Sequence, residues 1–238
     1  MANQFYIDKY KDFDKVITTY YQVKDHNGKV VNVDGVVNPL KVDNRQIYSV
    51  IDNQGSTPHC AGYSICGICE ALIWKRTGKL VNLNADQVYA KAKTLDGDKD
   101  GEGTYLEAAI KAAMQLGGFD QAAKNIKTGF VYNDRTDATV ETVKYLLHKY
   151  DFLHAGFSIT NGWYSCTNSN YVIHHGPQQL GGHAVVIVGY DRTGVYIANS
   201  WGTGWGAKGF GILPWSVFKQ ELMYCCFLQN CFDNWSEK

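Results

Sequence analysis

One cysteine stands where its thiol could act as a nucleophile. Cys60 follows the helix-start residues Ser56, Thr57 and Pro58, so its sulfur is expected near the unpaired N–H groups of a helix N-terminus. A free thiol with a pKa near ~8.5 is only slightly ionised at neutral pH, and both a helix N-terminus and a neighbouring histidinium favour the thiolate. Cys60 is therefore the predicted nucleophile.

Two later segments supply a base and a group that orients it. His183 follows two glycines and opens an apolar run, and Asn199 lies at the end of the next predicted strand. An Asn side chain that accepts the imidazole N–H would fix the tautomer and ring plane without adding charge. Gln54 lies shortly before Cys60, and its NH2 group and the Cys60 N–H could together hold an oxyanion.

The elements that must position these residues change in character along the chain. Apolar periodicity and capping signals predict helices over 60–75, 84–93, 104–116 and 137–150. Thr104 and Glu107 form a capping-box pattern at the start of the third helix. Short β-branched and aromatic runs predict strands over 152–159, 184–190, 194–199 and 209–213. Helices followed by strands indicate an α+β fold with two lobes and a cleft between them.

Composition narrows the class of protein. The 238 residues are 45% apolar, enough for a substantial core, and 23 basic residues balance 23 acidic ones. Balanced charge argues against nucleic acid or an anionic membrane as partner. No stretch approaches the ~18 apolar residues of a membrane span, and the N-terminus lacks a signal-peptide pattern. Seven cysteines without framework spacing favour reduced thiols, so we expect an intracellular, cytoplasmic protein.

The residues above also resemble a known family. Gln54-Gly55 with Cys60, then Gly182-His183-Ala184, then Asn199-Ser200-Trp201-Gly202 have the order of the papain-like cysteine proteases. His183 and Asn199 follow Cys60 by 123 and 139 residues, near the spacing of about 130–150 typical of that family. The resemblance covers about residues 43–215 and is to the disulfide-poor microbial or viral members.

The resemblance implies a fold and an activity. It implies a papain-like two-lobe fold with a helical left lobe, an antiparallel β right lobe and the cleft between them. The chain would be a single peptidase domain with an arm over 1–45, the helical lobe over about 46–130 and the β-rich lobe over about 131–238. It also implies peptide-bond hydrolysis through a thioester acyl-enzyme, acting on protein or peptide substrates without a required cofactor. The oligomeric state stays open.

The resemblance further implies residues that line the cleft. Trp201 is expected to shield the bond between Asn199 and His183, with Trp205 packed beside it. Gly103 resembles the glycine-rich wall that pairs with substrate backbone, and Gly182 is a second expected substrate-binding residue. Residues 219–223 are expected to close the pocket for the second substrate side chain.

The sequence also departs from the family pattern. Thr57, Pro58 and His59 replace the usual Cys-Gly-Ser, and Ala61 replaces an aromatic residue. Without a cysteine at 57 the family's left-lobe disulfide cannot form. The same site could serve a deamidase, transpeptidase or isopeptidase, and a catalytically silent peptide-binding homologue is a further alternative.

Two residue patterns could indicate metal sites. A zinc site using His59, Cys60, Cys66 and Cys69 lacks a second ligand pair at the spacing of zinc fingers, so Cys66 and Cys69 are expected to pack in the core. Residues 96–107 match the calcium-loop pattern D-x-D-x-D-G-x5-E. Calcium there is a hypothesis, and no metal is expected at the catalytic residues.

Overall fold

The computed structural model describes residues 22–24, 30–32, 38–48, 50–98, 100–118 and 127–229. The α-helices within these ranges are α1 (Cys60–Thr77), α2 (Ala85–Lys93), α3 (Leu106–Gln115), α4 (Asp137–Tyr150) and α5 (Trp215–Glu221). Two 3-10 turns, η1 (Arg45–Ile47) and η2 (Asn161–Ser165), accompany them. The strands are β1 (Gln22–Lys24), β2 (Val30–Asn32), β3 (Val42–Asp43), β4 (Lys127–Tyr132), β5 (Leu153–Thr160), β6 (Gln179–Tyr190), β7 (Gly194–Ala198), β8 (Phe210–Pro214) and β9 (Leu222–Gln229).

Helix α1 lies at the centre of the fold, as its apolar composition predicts. From Ala61 to Leu72 every residue except Tyr63 is buried. The helix ends at Gly78, which adopts a left-handed conformation with φ 65° and donates its N–H to Trp74 O, as glycine does at many helix ends. This burial holds the first residue of α1 against the sheet.

The sheet has the strand order β4-β9-β5-β6-β7-β8, all pairs antiparallel, and β3 pairs with β6. Side chains of β6 alternate between two cores: Ala184 and Val186 face the helices α1 to α3, whereas Val185 and Ile187 face α4 and α5. A sheet covered on both faces explains why this strand is apolar at nearly every position. The predicted α+β fold is confirmed.

Two strands were missed by the sequence analysis. β4 and β9 pair along their whole length, with Phe130 opposite Cys226, and β9 also pairs with β5. The apolar run of β9 was a signal, since buried strands show little alternation. Cys225 and Cys226 are fully buried in it.

The predicted N-terminal arm is described only in part. Within the predicted arm, β1 and β2 form an antiparallel pair with Val23 opposite Val31. The predicted arm and lobe boundaries stay predictions.

The capping box predicted for the third helix is wrong. Helix α3 begins at Leu106 rather than Thr104, and Thr104 Oγ1 donates to Asp96 Oδ2 at 2.8 Å. The hydroxyl of Tyr224 takes the place of a cap, because it accepts from Leu106 N at 3.3 Å and donates to Glu107 Oε2 at 3.0 Å. A side chain from the distant strand β9 therefore accepts a hydrogen bond from a backbone N–H at the start of α3.

Candidate active site

Cys60 is the first residue of α1. The helix thus begins at the predicted residue, after Ser56, Thr57 and Pro58, and its N-cap residue His59 makes no side-chain cap hydrogen bond. Thr57 instead donates to Gln54 O at 2.7 Å in the preceding turn. The sulfur of Cys60 thus lies at a helix N-terminus, as predicted, although no side chain caps that end.

The Cys60 side chain is partly buried, and backbone N–H groups contact its sulfur. Burial raises the pKa of Cys60, and hydrogen bonds from the backbone of Ala184, Ala61 and Cys60 itself act to lower it. Ala184 follows His183 on β6, so the contact joins the start of α1 to the strand that carries the predicted base. The sulfur is therefore held where a thiolate would meet several donors.

His183 and Asn199 are brought together by adjacent strands. His183 lies on β6 and Asn199 directly follows β7, and His183 Nε2 is 2.8 Å from Asn199 Oδ1. Ser200 N also donates to Asn199 Oδ1, at 2.9 Å. Because Asn199 Oδ1 is the acceptor, Nε2 carries the hydrogen and Nδ1 is the nitrogen that can take a proton.

Burial disfavours the charged forms of both His183 and Cys60. It lowers the pKa of His183 to about 4, while the hydrogen bond to Asn199 acts to raise it. Burial thus disfavours an isolated thiolate on Cys60 and an isolated imidazolium on His183 alike. Opposite charges on the two groups would offset this cost if they were placed next to each other.

Gln54 is fixed by contacts with the segment that follows β7. Its backbone N–H donates to Ser200 O at 2.9 Å, and Ser200 Oγ donates to Gln54 Oε1 at 2.6 Å. Gln54 Nε2 donates to Thr57 O at 2.7 Å. An amide NH2 group has two hydrogens, so one remains for an oxyanion. Gln54 is thereby tied to Ser200, the residue that follows Asn199.

The predicted tryptophans pack around the histidine. Trp201 stacks on His183 with ring centroids 4.8 Å apart and an interplanar angle of 28°, and Trp205 lies perpendicular to Trp201 at 5.8 Å. The sequence analysis missed Trp163, which is fully buried and meets His183 edge-on at 6.1 Å. No motif surrounds Trp163 in the sequence, so only the packing identifies it.

The predicted substrate-binding glycines leave open space. A Cβ on either Gly182 or Gly103 would meet no atom within 4 Å. Gly182 lies opposite Ser158 at an exposed part of β6, and Gly103 precedes α3 with φ 78°. Residues 219–223 span the end of α5 and the start of β9. Their roles toward a substrate stay predictions.

Lys93 binds the acidic loop over residues 96–107. Lys93 Nζ lies 3.0 Å from Asp96 Oδ2 and also donates to the Asp98 carbonyl, while Glu107 is bonded to Tyr224. Across the described ranges, no group of three or more His, Cys, Asp or Glu side chains is arranged to hold a metal ion. These contacts argue against the calcium hypothesis for 96–107.

The cysteines considered for zinc are core residues. Cys66 and Cys69 are fully buried on α1 within the core on the helix side of the sheet. Burial raises the pKa of the Cys66 thiol above its ordinary value, which disfavours the thiolate that zinc requires.

Comparisons with known proteins agree with this geometry. No family model matches the sequence. Papain from Carica papaya is 29% identical over 236 residues, covering 88% of this chain and 64% of that protein. Procathepsin L from Mus musculus is 24% identical over 237 residues, covering 84% of this chain and 68% of that protein. The structure of xylellain, a cysteine protease from Xylella fastidiosa, superposes with a TM-score of 0.62 at 19% identity, covering 81% of this chain and 87% of that chain.

Within the ranges that the structure describes, no helix is both long enough and apolar enough for a membrane crossing. The helices and the antiparallel sheet are consistent with the predicted two-lobe α+β fold.

Proposed function

We propose that this chain, which is similar to papain and procathepsin L, is a papain-like cysteine endopeptidase that cleaves peptide bonds through a thioester on Cys60. The observation that carries the proposal is the buried 2.8 Å hydrogen bond between His183 and Asn199, next to the strand residue whose N–H faces the Cys60 sulfur. A nucleophile, a base and a group that orients the base are the parts that acyl transfer requires.

The first half of the reaction forms the acyl-enzyme. His183 Nδ1 takes the thiol proton, and the Cys60 thiolate forms a bond to the substrate carbonyl carbon as the carbonyl π electrons move to oxygen. Gln54 Nε2–H and the Cys60 N–H hold the resulting oxyanion. When the intermediate collapses, the C–N bond breaks and His183 gives its proton to the leaving amine.

The second half releases the acid. A water molecule gives a proton to His183 and attacks the thioester carbon, after which the C–S bond breaks and the thiolate is restored. The Asn199 side chain keeps the imidazole plane constant through both proton transfers. Trp201, stacked on the imidazole, keeps water away from the bond between His183 and Asn199.

Substrate backbone would lie along the open glycine positions. Gly182 and Gly103 have no side chain to block an extended peptide, and their neighbourhoods leave room for one. Protein or peptide chains are thus the proposed substrates.

A reducing, cytoplasmic setting suits this chemistry. Among the described residues no cysteine takes part in a disulfide. A nucleophilic thiol needs to stay reduced, and the cytosol keeps thiols reduced.

The test uses labelling and product analysis together. Wild type, Cys60→Ala and the control Cys166→Ala are treated with a peptide-like epoxide that alkylates activated thiols, and intact mass is measured. We expect one adduct on wild type and on the control, and none on Cys60→Ala. Cys166 is a suitable control because it is buried in the core between the sheet and the helices α4 and α5, away from Cys60.

Product masses decide among reactions of this site. Shortened peptides indicate hydrolysis, a gain of about one dalton indicates deamidation, and joined peptides indicate transpeptidation. An unlabelled wild type under reducing conditions would contradict the proposal in favour of a silent peptide-binding protein.

A further inference from the structure

Glu221 is a buried carboxylate that takes no part in the proposed reaction. It is the last residue of α5 and is 2% exposed. It accepts hydrogen bonds from Thr160 Oγ1 at 3.0 Å, from Trp163 Nε1 at 2.7 Å and from His175 Nδ1 at 2.7 Å. A buried carboxylate is costly unless donors surround it, so a site that keeps one depends on its geometry.

The three donors come from separate parts of the chain. Thr160 ends β5, Trp163 lies in η2, and His175 lies in the loop before β6. Thr160 Oγ1 also accepts from Gly176 N at 2.8 Å, which ties that loop to the same network. One carboxylate therefore holds three segments together.

Trp163 connects this network to the catalytic histidine. Its ring meets His183 at 6.1 Å and 89°, Trp201 at 6.5 Å and Trp205 at 6.3 Å. Its carbonyl accepts from Trp205 Nε1 at 2.9 Å. Trp163 thus contacts His183 directly. It also binds Trp205, which packs against Trp201.

We propose that Glu221 is a positioning residue for His183, acting through the indole of Trp163. The inference rests on the proposed function, since it assigns a role in the same site. Glu221 fixes the indole N–H, the indole fixes one side of the imidazole, and Trp201 fixes a face of it. Nearby indole rings also favour an imidazolium through cation–π attraction. The structure thus assigns the network both an orienting and an electrostatic effect on the base.

A carboxylate suits this position better than an amide does. An ionised carboxylate only accepts, and the Trp163 indole nitrogen only donates. In Glu221→Gln the NH2 group must face Thr160, Trp163 or His175, each of which now donates to Glu221. The substitution keeps the shape of the side chain and disturbs the network.

The matched control is a second buried carboxylate. Glu70 on α1 is 1% exposed, and its Oε1 accepts from Leu83 N at 2.7 Å. It lies in the core on the helix side of the sheet and has no recorded contact with His183 among the described residues. Glu70→Gln therefore tests the general effect of replacing a buried acid by an amide.

The experiment measures kinetics and the titration of His183 by NMR in wild type, Glu221→Gln and Glu70→Gln. In Glu221→Gln we expect kcat to fall about tenfold with KM within about twofold, since a misplaced base slows chemistry more than binding. The His183 ring signal, assigned by its loss in His183→Ala, should shift and titrate at lower pH. Glu70→Gln should match wild type in both readouts.

Each failure has its own meaning. A Glu221→Gln protein with a lower melting temperature but wild-type kcat and His183 titration would overturn the positioning role. If Glu221→Gln does not fold, His175→Asn, which alters a half-exposed donor, should show a smaller change in the same direction, and no change there would overturn it. Should wild type cleave nothing, the proposed function fails, while the NMR comparison still decides the positioning role without substrate.

Discussion

Ser200 Oγ donates a 2.6 Å hydrogen bond to Gln54 Oε1, across 146 residues of sequence. The bond is buried and holds the Gln54 oxygen at Ser200, while Thr57 O, which can only accept, takes a hydrogen from Gln54 Nε2. Gln54 Nε2 is thereby directed to Thr57 O and to the cleft. The residue after Asn199 thus orients the group proposed to hold the oxyanion.

Ser200→Ala should lower kcat/KM by about threefold to tenfold, the effect of losing one ordinary hydrogen bond. Gln54→Ala should lower it by about 10²–10³, because it removes an oxyanion donor outright. Steady-state rates on one peptide amide check both, with the exposed Ser169→Ala as the control. Equal effects of Ser200→Ala and Ser169→Ala would contradict the orienting role.

Asn199 variants should move the limb of the pH–rate profile that reports the titration of His183 in opposite directions. The Asn199 hydrogen bond raises the pKa of His183 against the effect of burial, so Asn199→Ala should move that limb to lower pH. Asn199→Asp adds a negative charge that favours the imidazolium, so the limb should move up by about one unit or more. The dependence of kcat/KM on pH measures both shifts. Movement of both variants in the same direction would exclude this account.

Gly62→Ala should destabilise the protein although alanine is the better helix former. A Cβ at 62 would lie 2.6 Å from Ala85 O and 3.2 Å from Tyr89 Cβ, so α1 and α2 would have to move apart. Overpacking of this kind costs about 1–3 kcal/mol of unfolding free energy. Urea denaturation measures it. Gly204→Ala, where a Cβ meets nothing within 4 Å, is the control and should change stability little.

His154 should make the fold sensitive to acid. It is fully buried with Nε2 2.7 Å from Ser64 Oγ, and burial lowers its pKa from 6.5 to about 3. Between these values the unfolded chain binds a proton that the folded chain does not, so stability falls as pH falls through this window. The contribution approaches about 1.4 kcal/mol per pH unit.

The test compares urea unfolding of wild type and His154→Gln between about pH 4.5 and pH 6. Gln can still donate to Ser64 but does not titrate, so the variant should lose less stability on acidification. Because His183 titrates in the same direction in both proteins, the difference isolates His154. Parallel curves would rule out this role.

Glu70 should change the stability of the fold with pH in the opposite direction to His154. Burial raises its pKa from 4.5 to about 7, so the folded chain binds a proton that the unfolded chain has lost. Stability from this group is present below the lower value and is lost as pH rises toward the upper one. Glu70→Gln should therefore gain stability relative to wild type between pH 5 and pH 8, as measured by urea unfolding. A constant difference across that range would refute the shift.

Much of the fold was predictable because it is encoded locally. The start of α2 at Asn84 and the end of α1 at Gly78 follow from capping and left-handed turn preferences of single residues. Strands β5 to β8 show their burial in apolar composition. Cys60, His183 and Asn199 were identified by residue type and order, since each lies beside a recognisable helix start, glycine pair or strand end.

Other features depended on contacts between distant segments. Tyr224 replaced the predicted cap of α3, Ser200 oriented Gln54, and Glu221 joined Trp163 and His175 to the site. In the loop that matches the calcium pattern, Lys93 forms an ion pair with Asp96.

Most of the elements, although not β4 and β9, and the side chains that can do thiol chemistry were predictable from local sequence, because backbone preferences and reactivity belong to single residues and their near neighbours. How those side chains are oriented follows only from tertiary packing. A hydrogen bond between Ser200 and Gln54 or between Trp163 and Glu221 exists only after the sheet and helices have packed. Local patterns carry no signal for it, because the energy of such a bond depends on the burial and geometry that packing creates.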